Sequence, residues 1–441
     1  LASSIFFYAW GAPDFIFIVL GSIVIDYYIV DRMAQLTGRP KRYLLAASVL
    51  LNIGLLAYFK YANFFLENVN FLIASIGFRA VHWTAVALPI GISFFTFQKL
   101  TYSVDVYRGV HGPLKKVTDY ALYILMFPQL IAGPIVRYNE IADQIEDRSM
   151  NETMNNRLTG FFRFTIGLAK KVLIANVLGE QVDAIFTDPE SGMATTTAWI
   201  GIIAYAFQIY YDFSGYSDMA IGIGRMIGFR FPENFNNPYI SQNITEFWRR
   251  WHITLGRFMR DYLYIPLGGN RVSARRLYFN LWVVFLISGL WHGAAWNFVI
   301  WGAFHGLFLV ADRMFLLKVF KAIGKVPSIA ITFFISLISW VFFRADNLNV
   351  AMYYLNKMFS WDAYDDGFAF DQKFYTILGV AVFFAFYGGF RKVEAWQEHV
   401  FREGKALRSL IPMVLLSIVL FIVCVAAITS SGFNPFIYFR F

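Results

Sequence analysis

Long apolar runs, separated by short polar or basic stretches, recur along most of this chain. Leu44–Phe59, Ala198–Tyr211, Tyr278–Leu290, Ile329–Phe343 and Ile411–Ile428 are long enough, or nearly so, to cross a bilayer, which takes about 20 helical residues. Lipid offers no partner to an exposed backbone amide, so such segments are helices. The pattern predicts an all-α, polytopic membrane protein with about ten or eleven membrane helices, treated as a single domain over residues 1–441. Between Asp119 and Gly179 the alternation of sides fails, because the loop Arg137–Arg157 carries both signs of charge. One segment there is expected to be re-entrant or interfacial. A chain that opens on Leu1 is expected to lack its natural start.

Composition agrees with this pattern. Of 441 residues, 58% are hydrophobic and only 15% charged, against roughly a quarter charged in soluble proteins. The net charge of +9 could suggest nucleic acid, but its distribution argues against that partner. Basic residues cluster in Arg32–Arg42, Arg225–Arg276, Arg313–Lys325 and Arg391–Arg408, while Glu180–Glu190 and Asp346–Asp371 are acidic or nearly neutral. Lysine and arginine bias places the first set in the cytoplasm. Counting sides from Arg313 then puts the tail, residues 431–441, outside the cytoplasm. The single cysteine, Cys424, excludes an internal disulfide framework and a cysteine-based metal site.

The stretch Arg225–Arg276 holds nine arginines, no lysine and three acids, Glu233, Glu246 and Asp261, with aromatic residues interleaved. It reads as short re-entrant or amphipathic helices wedged at the cytoplasmic face. Arginine's planar fork suits a phosphorylated donor such as coenzyme A; attraction to anionic membrane lipids would use the same charges.

Ionisable groups at hydrocarbon depth mark chemistry or a transport path by default. Trp291-His292-Gly293, then Asn297 and His305, sit in one of the most apolar parts of the chain. A third histidine, His252, ends Phe247-Trp248-Arg249-Arg250-Trp251-His252, where residue type alone favours a packed ring. His82, His111 and His399 read as surface residues. His292 and His305 are thirteen positions apart without an HExxH pattern, so no metal site is expected. Phe213-Ser214-Gly215-Tyr216-Ser217 lacks the first glycine of a nucleophile elbow. Gly222-Ile223-Gly224, with Gly228, has no strand-helix-strand unit around it and reads as helix packing. What remains is histidine as a general base.

Taken together, Asp212-Phe213-Ser214-Gly215-Tyr216-Ser217-Asp218, Glu233-Asn234-Phe235-Asn236-Asn237-Pro238-Tyr239, Glu246 to His252, Trp291-His292-Gly293 and Phe127 to Pro134 resemble the membrane-bound O-acyltransferase (MBOAT) family. More narrowly, the chain looks like the bacterial alginate O-acetylation branch, and the peptidoglycan, cellulose and teichoic-acid acylating members are similar. The resemblance implies a ring of helices around a thin centre in a bacterial cell membrane, the inner membrane of a Gram-negative cell. It implies His292 as the catalytic base and His252 as the second motif histidine, with His305, Trp291 and Asn297 in support. It implies an acyl group, here acetyl, passed from a cytoplasmic thioester towards an extracytoplasmic partner of the SGNH-hydrolase type that acylates a polysaccharide. The donor would be acetyl-coenzyme A or a carrier-protein thioester, with no resident cofactor.

In that scheme Arg249, Arg250, Arg257 and Arg260 hold the donor's phosphates. His292 takes a proton from an acceptor hydroxyl, and His252 orients the donor or the developing oxyanion. Asp212 and Asp218 could set a histidine tautomer, but capping or pairing with an arginine is the favoured role. The tail Asn434-Pro435-Phe436-Ile437-Tyr438-Phe439-Arg440-Phe441 could be an interfacial aromatic anchor. It also resembles the tyrosine-bearing tail of a small peptide partner in teichoic-acid D-alanylation, which makes Tyr438 a possible acyl relay. A phenol has a pKa of about 10 and a thiol about 8.5, so an aryl ester keeps much of a thioester's transfer potential. A transporter or flippase would also explain intramembrane histidines beside a basic vestibule, and a recruiting scaffold would need no chemistry.

Overall fold

Helices make up every regular element among the described residues of the computed structural model, which are residues 1–187, 192–361, 367–401, 407–430 and 435–437. Among them, Pro13–Ala34, Gly38–Ser75, Lys325–Arg344 and Arg408–Ser430 are long and apolar enough to cross a membrane. Gln372–Gly389 with Lys392–Phe401, bent by 97°, would make a fifth. Ten or eleven spans would therefore have to include shorter or more polar helices. The chain packs as two compact units: residues 1–151 with 229–232, and residues 152–228 with 233–441.

The first unit surrounds a buried carboxylate. Helices α1 (Ile16–Ala34), α2 (Gly38–Leu56), α3 (Ile92–Arg108) and α4 (Val117–Leu125) supply its partners. Asp26 accepts hydrogen bonds from Ser48 Oγ at 2.6 Å, Asn52 Nδ2 at 3.0 Å and Tyr120 Oη at 2.5 Å. Lys99, also fully buried, donates to Ser22 Oγ at 2.5 Å. Burial of the Asp26 carboxylate is tolerable because both its oxygens are hydrogen-bonded. The Phe127-Pro128-Gln129-Leu130 motif is a packing element of this unit. Gln129 is buried and donates to the Tyr123 carbonyl at 2.9 Å. A Cβ on Gly91 would stand 2.6 Å from the Leu130 carbonyl oxygen.

The second unit is organised by two close helix crossings. Helix α5 (Met154–Ala169) lies along the 32-residue α6 (Thr195–Met226). There a Cβ on Gly160 would come within 2.7 Å of the Gly222 carbonyl, and one on Gly167 within 2.5 Å of the Gly215 carbonyl. Small residues at a membrane helix crossing let backbones approach and gain packing. The second crossing joins α8 (Ala274–His292) to α9 (Trp296–Ala311), with α7 (Ile244–Arg250) and α10 (Lys325–Arg344) alongside. The last helix, α12 (Leu407–Ser430), follows α11 (Arg391–Phe401) and packs on α5. Ile411, Leu415, Val419 and Ile422 on α12 are exposed, which suits a lipid-facing span.

Candidate active site

His292 is the last residue of α8, and the sequence around it explains why the helix stops there. Gly293 is extended, with φ −158°, and a Cβ at that position would overlap the Phe298 ring. Gly289 and Gly302 meet where α8 crosses α9, and a Cβ on either would collide with the other helix's backbone. The Trp291-His292-Gly293 motif is thus a helix end pressed against the start of its neighbour. His292 is 5% exposed, with Trp301 at 5.0 Å and Phe343 at 5.1 Å edge-on to its ring. Trp251, Trp301, Trp340, Phe343 and Ile437 line a narrow cavity with it.

Asn297 supports the far wall of that cavity. Its Nδ2 donates to the carbonyls of Phe342 (3.2 Å) and Ala345 (2.8 Å), carbonyl groups that the end of α10 leaves without helical donors. Trp340 and Phe343 sit on that last turn, so Asn297 holds the wall of the cavity through its backbone.

His252 lies in the bend after α7, with φ +46°. A non-glycine residue there carries strain of about 1–3 kcal/mol, found where surrounding contacts over-determine the backbone. Asn234 supplies those contacts. Its main-chain carbonyl accepts from Ile253 N–H at 2.9 Å, and its Oδ1 accepts from Thr254 N–H at 3.3 Å and Thr254 Oγ at 2.9 Å. His252 Nδ1 lies 3.0 Å from the same Oδ1. The Thr254 amide fixes which end of the Asn234 side chain is oxygen, and a carbonyl oxygen accepts only. The Nδ1 atom of His252 therefore carries the proton, and the neutral ring presents a lone pair at Nε2. No described residue bonds that buried Nε2. Donation to an oxyanion, one role expected for His252, would need a proton on Nε2 that the neutral ring holds at Nδ1.

His305 has the opposite tautomer. The Trp248 indole N–H donates to its Nδ1 at 3.3 Å, and indole nitrogen is a donor only, so the His305 proton sits on Nε2. Trp301 lies 4.9 Å from His305 and 5.0 Å from His292, ring to ring, while Trp291 is 6.0 Å from His252. Two tryptophans thus connect the three histidines.

The carboxylates go elsewhere. Asp218 pairs with Arg163 at 2.6 Å and Lys170 at 2.7 Å, and Arg163 also holds Glu233 at 2.6 Å, next to Asn234. Asp212 meets Lys171 at 2.5 Å, a lysine where an arginine was expected, and accepts from the Ile437 amide at 2.9 Å. Among the described contacts, the tautomer-setting group is Asn234, which sequence reasoning had placed in a motif without giving it a role. Lys171 was also overlooked, although an ionisable residue inside an apolar stretch is a signal in itself.

The four arginines have unlike surroundings. Arg250 is engaged by Glu246 at 3.0 Å and Glu394 at 3.1 Å, and donates to the Asn236 carbonyl at 3.2 Å. That geometry makes it a tie between α7 and α11. Arg260 pairs with the adjacent Asp261 at 2.6 Å. Arg249 is exposed and Arg257 half-buried. Tyr438 lies outside the described residues, but Ile437 beside it is buried and lines the His292 cavity.

A profile described as the membrane-bound O-acyltransferase family matches residues 43–355, a range that contains all three histidines and Asp212 but not the tail. The chain is 45% identical over 365 residues to the probable alginate O-acetylase of Pseudomonas aeruginosa, covering 82% of this chain and 69% of that one. It is 39% identical to the corresponding protein of Azotobacter vinelandii, over 100% of this chain and 94% of the other. The peptidoglycan O-acetyltransferase of Helicobacter pylori is 42% identical, over 81% of this chain and 72% of its own.

Proposed function

The chain belongs to the membrane-bound O-acyltransferase family and is a multi-pass membrane O-acyltransferase, and from that premise we propose that it carries acetyl groups across the bacterial inner membrane for O-acetylation of an extracytoplasmic polysaccharide. The donor is a cytoplasmic thioester, acetyl-coenzyme A or an acetylated carrier protein. The observation that carries this reading is the burial of Ile437 in the cavity that holds His292, which brings the chain's own tail to the base.

In the first half-reaction the Tyr438 hydroxyl attacks the thioester carbonyl. His292 takes the phenolic proton and the C–S bond breaks. The thiol leaves with that proton, and an aryl acetate remains on the chain. His252, with its lone pair at Nε2, accepts a hydrogen bond from the hydroxyl that enters in the second half-reaction. In the second half-reaction a hydroxyl of an SGNH-type partner attacks the aryl ester, and the phenol is regenerated. Arg249, exposed at the end of α7, and the half-buried Arg257 are the two arginines we assign to the donor phosphates. The relatives' names support acetyl as the group, and an alginate-like or cell-wall polymer as the destination.

The test uses inverted membrane vesicles containing the partner and polymer, supplied with labelled acetyl-coenzyme A or labelled acetyl-carrier protein. Wild-type vesicles should accumulate alkali-labile label on polymer inside the vesicle, and vesicles carrying His292→Ala should not. Equal labelling in both would remove His292 from the chemistry.

A further inference from the structure

A buried ion pair is a poor way to gain stability, because desolvating both charges can exceed their attraction. The Lys171–Asp212 pair is almost wholly buried, with side chains 7% and 4% exposed, and it does something besides pairing. Asp212 has two oxygens: Oδ1 meets Lys171 at 2.5 Å, and Oδ2 accepts the Ile437 N–H at 2.9 Å. Lys171 has three hydrogens, and its Nζ also donates to the Pro435 carbonyl at 3.0 Å. The ammonium stands 4.7 Å from the centre of the Phe436 ring, which also meets the Tyr216 ring edge-to-face at 4.9 Å.

We infer that Lys171 and Asp212 form a main-chain clamp that positions the carboxyl-terminal segment in the His292 cavity. Main-chain groups withdrawn from water must find partners, and along this segment, which runs from exposed Pro435 to buried Ile437, a cation takes one carbonyl and an anion takes one amide two residues along. Because the carbonyl of residue 435 and the amide of residue 437 are what is held, the clamp does not read those two side chains. Selection rests on Phe436, between ammonium and tyrosine, and on Ile437, which fills part of the cavity. Lys171 and Asp212 are positioning residues: they act on the acyl acceptor through the backbone that carries it. The clamp rests on the acyl-relay reading for its purpose but not for its existence.

The experiment is trimming of the purified full-length protein in detergent by a serine carboxypeptidase that also removes proline, with rates referred to each variant's own unfolded chain, followed by intact mass. Two variants remove the clamp differently. Lys171→Met combined with Asp212→Leu replaces the pair by apolar groups of similar size, a change that buried ion pairs generally tolerate. Ile437→Pro deletes the clamped N–H and leaves both charged residues in place, and Ile437→Ala keeps that N–H as a control. Trimming past residue 437 is expected to be at least about tenfold faster in the pair replacement and in Ile437→Pro, the loss of one or more hydrogen bonds to charge. Ile437→Ala should trim more slowly than Ile437→Pro. Combining Ile437→Pro with the pair replacement should add little, because both remove one interaction. Trimming at the wild-type rate in the pair replacement and in Ile437→Pro, or fully additive effects, would overturn the clamp. Polymer acetylation by the same variants is measured in inverted vesicles containing the partner and polymer: fast trimming with normal acetylation upholds the clamp and removes the relay.

Discussion

A neutral imidazole has one proton and two nitrogens for it, and in this site the neighbours decide. Asn234 puts the His252 proton on Nδ1, while Trp248 puts the His305 proton on Nε2. His252 therefore offers a base where His305 offers a donor. Asn234→Leu should lower kcat by about 10²-fold, the usual scale for loss of a positioning contact. Asn234→Asp, which keeps the acceptor facing Nδ1 and Thr254, should recover much of it, as read from steady-state acetylation in vesicles. Equal kcat in wild type and Asn234→Leu would remove the tautomer from the mechanism. The left-handed backbone of His252 adds a second expectation. His252→Asn should retain folding, because asparagine tolerates φ > 0, whereas His252→Val should lower the melting temperature. The histidines themselves were legible in the sequence, since an ionisable ring among leucines and phenylalanines stands out. The role of Asn234 was not, because eighteen residues separate it from His252 and nothing in that spacing selects one partner.

The histidines are brought together by helix ends and crossings. Gly289 and Gly302 let α8 and α9 touch beside His292, so Gly302→Ala must push the helices apart or deform them. Overpacking of that sort costs about 1–3 kcal/mol, and the expected result is a lower melting temperature with reduced transfer. Gly21→Ala, on α1 where nothing lies within 4 Å of the added methyl, should change both by little. Similar losses in the two variants would contradict the importance given to the crossing. Helix content was legible from the apolar runs, but the number of spans was not. Several helices are broken by wide turns, Lys170–Ala175, Met259–Tyr264 and Asp312–Leu316, and others bury polar side chains against protein instead of meeting lipid. The ties from Lys171 to Pro435 and from Asp212 to Ile437 were equally illegible, because they span 264 and 225 residues. A carboxylate in a helix does not announce what it will meet.

At the scale of the whole molecule, the proposal needs a tail on the side away from the basic loops. Lys318 is exposed in the basic stretch Arg313–Lys325, and Trp361 is 87% exposed in the acidic loop Asp346–Asp371. With the native Cys424 buried, a cysteine at either position can be read with a membrane-impermeant maleimide. Lys318→Cys should label in inverted vesicles and Trp361→Cys in spheroplasts; the reverse pattern would place the tail in the cytoplasm and the relay on the wrong side. The most direct test of the central claim is mass spectrometry of the purified wild-type chain and His292→Ala after incubation with isotopically labelled acetyl donor, both acetyl-coenzyme A and acetyl-carrier protein. The account expects label on Tyr438 in the wild type and none in the variant. A wild-type tail that stays unlabelled with both donors, in a preparation that still acetylates polymer, would contradict it.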